Sequence, residues 1–342
     1  MEKEKGFSVG DVEKIFHLKE KINSRQTLLN LEERGEIPKA QRVGRGAGGK
    51  IQQRVWSASD LVGIGDKLGF LDKPTKQHRI VFNISKGGNL KTTEAYQLCR
   101  LLALHNIRVL AIPLDIQKSF TKLASKEESE IDDISQVQEE GLGLYHLLFE
   151  NATLNEVIQK TDLPTLHFIP ETSELNILEK RLRLENRKEY VFLDRLTPKL
   201  KDYDVIIFDT APSFSSLIEN SLVCATEIVS PVGCEVGTYQ VLEDYLAILE
   251  EFFGVMQIEP AHYFIPVLLD KNKISQQIYG AYLSRYSDKV IATPIRRSVI
   301  AQEASVLQKS VFEYSPDSPL ANDQYEAFKE FWKRALANER IN

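Results

Sequence analysis

Cysteine is scarce in this 342-residue chain. Cys99, Cys224 and Cys234 stand far apart, with no C-x-x-C pair and no cysteine–histidine ligand spacing. That argues against a disulfide framework and a structural zinc site, and it suits a reducing cytosol. The six histidines fall at no metal-ligand spacing, and no Ser/His/Asp or Cys/His set stands out. No apolar run approaches the roughly 20 residues that span a bilayer. The opening residues, MEKEKGFSVGD, lack the apolar core of a secretory signal. The expectation is a soluble cytoplasmic protein that does not engage a membrane. The rest is an ordinary globular composition, 42% hydrophobic, long enough for two domains.

Charge is unevenly spread. Residues 1–80 hold 16 Lys+Arg against 11 Asp+Glu, whereas the rest of the chain holds 27 against 38. A basic end on an acidic body suggests that the N-terminal part meets a polyanion. Residues 8–34 read as two short helices. Ser8 caps the first, with Asp11 three residues on, and Val12, Ile15 and Phe16 recur at helical spacing. The second begins near Asn23 and Ser24, with Gln26 completing a capping-box pattern, and stops at Gly35. Leu28 and Leu31 would face the first helix. Residues 40–56, AQRVGRGAGGKIQQRVW, read as two extended runs around a glycine-rich turn. Ser57 and Asp60 then open a third helix, and Pro74 would break it within a linker over 71–78.

Helix, helix and wing over residues 1–70 resemble the winged helix-turn-helix of MerR-type DNA-binding domains. That resemblance implies phosphate contacts from Arg42, Arg45, Lys50 and Arg54. Arg25 and Gln26, at the start of the second helix, would read base edges. A merely solvated charged face is the plain alternative.

The stretch SKGGNLKTTEAY, residues 85–96, follows an apolar run, RIVFNIS, and opens a helical pattern that reaches about His105. Strand, glycine loop and helix form the context that a phosphate-binding loop requires. Backbone N–H groups from Gly87 through Gly88, Asn89 and Leu90 to Lys91 would curve around phosphates, with the helix N-terminus adding positive potential. Lys91 would neutralise phosphate charge and the Thr92 hydroxyl would ligate Mg2+, with Thr93 next to it. A second apolar run, YDVIIFDTAPS, ends in Asp209, a carboxylate placed for the same Mg2+. A third, RVLAIPLDIQKSFT, delivers Asp115. Strands alternating with helices imply a doubly wound α/β fold, mostly parallel, over residues 79–342.

KGG-x-x-KTT, the following D-x-Q and YDxIIxDxxPS resemble the deviant Walker-A ATPases, the MinD and ParA superfamily, and above all the ParA plasmid-partition ATPases. LHFIPETSELNILEKRL, IENSLVCATEIVSPVGCEVGTYQVL and EASVLQKSVFEYSPDSPLANDQYEAF extend the likeness over roughly residues 79–335. The resemblance implies an ATP- and Mg2+-dependent homodimer in which Lys86 reaches the γ-phosphate held by the partner. It also implies slow hydrolysis with Asp115 positioning the attacking water, and a ParB-type partner that stimulates it. Lys271, Lys273, Arg296 and Arg297 resemble the basic residues that family members set on non-specific DNA, and Asp270 would lie near the base.

Two positions depart from the pattern. Leu90 replaces a glycine that larger partition ATPases also often lack, and Pro113 replaces an aspartate. The second departure keeps a rival open: a transcriptional repressor whose ATPase domain senses nucleotide but scarcely hydrolyses it. A relative that positions another cargo is a third reading. Tyr325, Phe328, Trp332 and Leu336 form an apolar stripe expected to pack on the core rather than on a membrane. An iron-protein relative of the same fold would need cluster cysteines that this chain does not place.

Overall fold

The computed structural model describes residues 6–18, 24–45, 51–125 and 141–339. Asn23, Lys50 and the turn of the expected wing lie outside these residues, as does most of the acidic stretch 125–141. At the N-terminus, β1 (Phe7–Ser8) leads to α1 (Val9–Ile15), α2 (Ser24–Glu33), β2 (Gln41–Arg45), β3 (Ile51–Trp56) and α3 (Ala58–Leu68). β3 is the middle strand of three. It pairs antiparallel with β2, Gln41 opposite Val55, and with β1. Ser8 and Ser57 close capping boxes with Asp11 and Asp60, so the first turns of α1 and α3 have their free N–H groups satisfied. After α2, Gly35 takes φ +70° and the Glu36 N–H donates to the Leu31 carbonyl, a left-handed helix exit.

α3 does not run to Pro74. It stops at Leu68, where Gly69 turns to a non-helical backbone with ψ 166°, at a position with no room for a side chain. A Cβ there would stand 2.3 Å from the Gly65 carbonyl oxygen and 2.5 Å from the His105 ring.

The body is a seven-stranded sheet of β4 (His78–Phe82), β5 (Val109–Pro113), β6 (Gln159–Lys160), β7 (Leu166–Phe168), β8 (Val205–Asp209), β9 (Glu227–Gly233) and β10 (Ala261–Val267). Their order is β10-β9-β4-β8-β5-β7-β6, parallel throughout except for the short β6–β7 edge pair. Both faces are covered, so the central strands are apolar on both sides. Ile80, Phe82, Val109, Ala111 and Ile207 enter one core; Val81, Leu110, Ile112, Ile206 and Phe208 enter the other.

The first core takes α4 (Lys91–Leu104), α5 (Ser119–Ala124), α13 (Val311–Tyr314) and α14 (Pro319–Glu339). The second takes α6 (Leu144–Phe149), α8 (Leu175–Leu182), α9 (Ser216–Val223), α10 (Val236–Met256) and α11 (Lys273–Arg285). Two short helices, α7 (Leu154–Val157) and α12 (Ile300–Val306), complete the set. Tyr325, Phe328 and Trp332 of α14 are buried and Leu336 packs beside them, so the closing stripe belongs to the core. No helix among the described residues is long and apolar enough to cross a membrane.

The N-terminal unit shares that first core. Phe16, Leu61 and Ile64 sit in one apolar cluster with Leu104, Phe312, Tyr325 and Trp332. Tyr325 Oη donates to the Ile15 carbonyl at 3.0 Å, and Phe16 meets the His105 ring edge-on. A Cβ on Gly65 would fall 1.8 Å from the Leu104 carbonyl oxygen, which measures how closely α3 approaches the end of α4. Residues 71–78 are tied down along their length. Trp332 Nε1 donates to Asp72 O at 2.8 Å, Gln77 Nε2 donates to the carbonyls of Leu200 and Tyr203, and buried His78 lies between Glu227 and Glu339.

Candidate nucleotide site

The loop between β4 and α4 is glycine-rich where the backbone must turn and must lie open. Gly88 has φ +80°, and a Cβ on Gly87 or Gly88 would meet nothing within 4 Å. Leu90 also takes a left-handed conformation, φ 57° and ψ 23°, just before the first residue of α4. That is the backbone a glycine adopts freely and a leucine at a cost of roughly 1–2 kcal/mol. The leucine is accommodated because its side chain packs against the first core.

Lys91 is nearly buried and donates to the carbonyls of Ile84 at 3.3 Å and Lys86 at 3.4 Å. Burial lowers its pKa, against the charges of Asp209 and Asp115. Asp209 ends β8, one strand over. It is 1% exposed, and neither carboxylate oxygen has a hydrogen-bond partner among the described residues. Burial pushes its pKa up to about 7; the neighbouring Thr92 hydroxyl lowers it, Glu171 raises it, and Lys91 lowers it. A buried carboxylate without a hydrogen-bond donor is costly unless something else neutralises it. A divalent cation held between Asp209 and the Thr92 hydroxyl would do so, and hard oxygen donors suit Mg2+. The residues present therefore fit the expected metal.

Asp115 follows β5 and accepts from the Gln117 N–H at 3.0 Å, which fixes the carboxylate at the same edge of the sheet. Glu171, beyond β7, is a site residue that sequence reasoning missed. It is buried with a raised pKa, mainly from desolvation. It accepts from the N–H groups of Phe120 and Thr121 and from the Thr121 hydroxyl, pinning the start of α5. Its only signal in the chain is an acid in IPETSEL, with no pattern to mark it as buried. A buried web beneath the loop was equally silent. Asn83 Nδ2 donates to Thr210 Oγ1, while Tyr245 Oη donates to Asn83 Oδ1 at 2.7 Å and Ser230 Oγ to the Asn83 carbonyl.

The candidate DNA residues fall into two groups, one on the N-terminal unit and one at the nucleotide edge. Arg25 and Gln26 on α2 are exposed, with Gln26 bonded to Asn30, and Arg42 is exposed on β2. Arg45 is the last residue of β2. Arg54 instead lies 2.9 Å from the Glu32 carboxylate, tying β3 to α2. At the nucleotide edge, Lys271 and Lys273 are exposed beside Asp270, whose carboxylate accepts from the Lys271 N–H. Arg296 closes on Asp323 through two nitrogens and Arg297 meets Glu235, so both already have carboxylate partners.

The comparisons accord with this geometry. The AAA_31 family model, an AAA domain, matches residues 77–258, which leaves the N-terminal unit outside the match. A Rhizobium rhizogenes relative is 28% identical over 244 residues, or 67% of this chain. The chain spans only 59% of that protein's length. The chromosome-partitioning ATPase Soj of Treponema pallidum is 29% identical over 231 residues, covering 66% of this chain and 85% of its own. Among solved structures, Cyanothece McdA in an ATP complex superposes with a TM-score of 0.65 at 20% identity, over 76% of this chain and 96% of its own.

Proposed function

Because the chain belongs to the AAA_31 family of AAA domains, we propose that it is a ParA-type partition ATPase carrying a DNA-binding N-terminal unit. The observation that carries the reading is Asp209: a buried, unpartnered carboxylate at a parallel strand end, facing Thr92 and the Lys91 loop. ATP would lie along the loop, with Lys91 and the backbone N–H groups on its phosphates and Mg2+ held by Thr92 and Asp209. The metal would neutralise charge building on the phosphate oxygens. Asp115 would orient the attacking water, and Pro113 in place of a second acid favours slow turnover.

The nucleotide edge also supports a homodimer. Ile116, Phe214, Val236 and Ile274 follow the ends of β5, β8, β9 and β10 as exposed large apolar side chains, a pattern that suits coverage by a second copy. Soj, named a chromosome-partitioning ATPase, extends the proposal to DNA segregation, and the motif resemblance adds a ParB-type partner. The basic N-terminal unit would bind the protein's own operator.

One experiment separates this from the nucleotide-sensing repressor that Pro113 favours. Binding to random-sequence duplex DNA is measured with ATP, with ADP and without nucleotide, for the wild type and for Lys86→Ala. Salt-sensitive binding seen only with ATP and lost in the variant is expected. Binding indifferent to nucleotide, or confined to one operator, would overturn the partition reading.

A further inference from the structure

The phosphate loop is tied to the first turn of α10 by side chains that its charge chemistry does not use. Asn89 is 2% exposed. Its Oδ1 accepts from Thr238 Oγ1 at 3.1 Å, and its Nδ2 donates to the Lys86 carbonyl at 3.4 Å. Thr238, the third residue of α10, is fully buried. Gly233, at the end of β9, leaves the space for this bond: a Cβ there would stand 2.6 Å from Asn89 Oδ1 and 3.0 Å from Thr238 Oγ1.

Gly237 makes room for the neighbouring side chain in the same way. A Cβ on it would stand 2.4 Å from Lys86 Nζ. Lys86 is thus engaged at both ends, its carbonyl by Asn89 and its ammonium over the start of α10. A helix N-terminus carries partial positive charge, so an ammonium rests there at an electrostatic disadvantage. A phosphate held by a second copy would draw it away. Lys91 Nζ, which also donates to the Lys86 carbonyl, would turn to the phosphates on its own loop. Asn89 would then be the side chain still bonded to that carbonyl.

We propose that Asn89 and Thr238 are positioning residues: their buried hydrogen bond fixes the start of α10 against the phosphate loop and so sets the path by which Lys86 reaches phosphate. The inference rests on the ATPase reading. It differs from a purely structural role in what it predicts for rate and affinity separately.

The test is Thr238→Val, which keeps the shape and removes the donor, beside Thr238→Ser, which keeps the donor, both in the full chain. ATP hydrolysis, ATP affinity and melting temperature are measured. The expected result is about a ten-fold lower kcat with KM within two-fold for Val, and near wild-type values for Ser. If Val melts below the assay temperature, Asn89→Ala cuts the same bond from the loop side and should show the same loss confined to kcat. Unchanged kcat in both cutting variants, a loss confined to KM, or Ser as impaired as Val would overturn the inference. A wild type that neither binds nor hydrolyses ATP would instead sink the ATPase reading itself.

Discussion

Pro113 on β5 stands directly beside Asp209 on β8 as its register partner. Proline survives in this central strand for a topological reason. The Leu114 N–H donates to the Asp209 carbonyl at 2.7 Å, so the Pro113 nitrogen faces the other way, toward β7. The β5–β7 ladder has already ended at Ala111 and Phe168, and no donor is missed. The consequence is electrostatic: no second carboxylate crowds Asp209 from that position.

Asp209→Asn should therefore separate stability from function. Because its pKa is raised to about 7, the folded state favours the protonated acid. The stability linked to that proton is present at low pH and is lost as pH rises toward and through 7. At pH 8, without nucleotide or metal, Asn should raise stability by about 2 kcal/mol. Denaturant melts check the gain. Mg2+-dependent ATP hydrolysis should disappear in the same variant.

Much of this site could be read in the chain because chemistry and pattern coincided. Lys91, Thr92, Asp115 and Asp209 each stand where a short apolar run ends, and the sheet brings those ends to one edge. Glu171, Asn83 and Thr238 could not be read so. Their roles come from bonds to residues 50 to 162 positions away, which no local periodicity records. The end of α3 was misread for a related reason. Pro74 is a visible breaker, whereas the chain already leaves the helix at Gly69, where the distant His105 ring requires a glycine.

His78 should give the fold an alkaline limit. Burial alone would lower its pKa, but Glu227 at 2.8 Å and Glu339 at 2.6 Å outweigh burial and raise it. This contribution is complete below about 6.5, the unfolded value, and is lost as pH rises through the higher folded value. Glu339, held low chiefly by Thr75 and His78 against its own desolvation, sets the acid limit as pH falls through the carboxylate range. Each unit between the folded and unfolded pKa of His78 is worth about 1.4 kcal/mol. Urea midpoints should fall between pH 6 and pH 9 in the wild type, and His78→Gln should flatten that slope.

Leu90 predicts an order among substitutions. Glycine relieves the left-handed strain but gives up the leucine's packing, so Leu90→Gly should change stability by less than about 1 kcal/mol. ATP affinity should be kept. Valine, branched at Cβ, tolerates that backbone worst, and Leu90→Val should cost at least about 1 kcal/mol more than Gly. Thermal melts with and without ATP decide.

Gly65→Ala should cost about 3 kcal/mol, since its methyl would overlap the Leu104 carbonyl and press on Phe16. Gly280→Ala serves as the contrast. Its Cβ would meet nothing within 4 Å inside α11, so it should stabilise by about 0.5–1 kcal/mol. Calorimetry should show a single transition for the Gly65 variant, moved down as a whole.

That shared core also makes α4 a caliper. Its first residue is Lys91, and its last, Leu104, presses on α3 of the N-terminal unit. Fourteen residues of helix hold those two points about 20 Å apart. A rod of that length holds the N-terminal unit at a set distance from the phosphate loop, not on a slack tether.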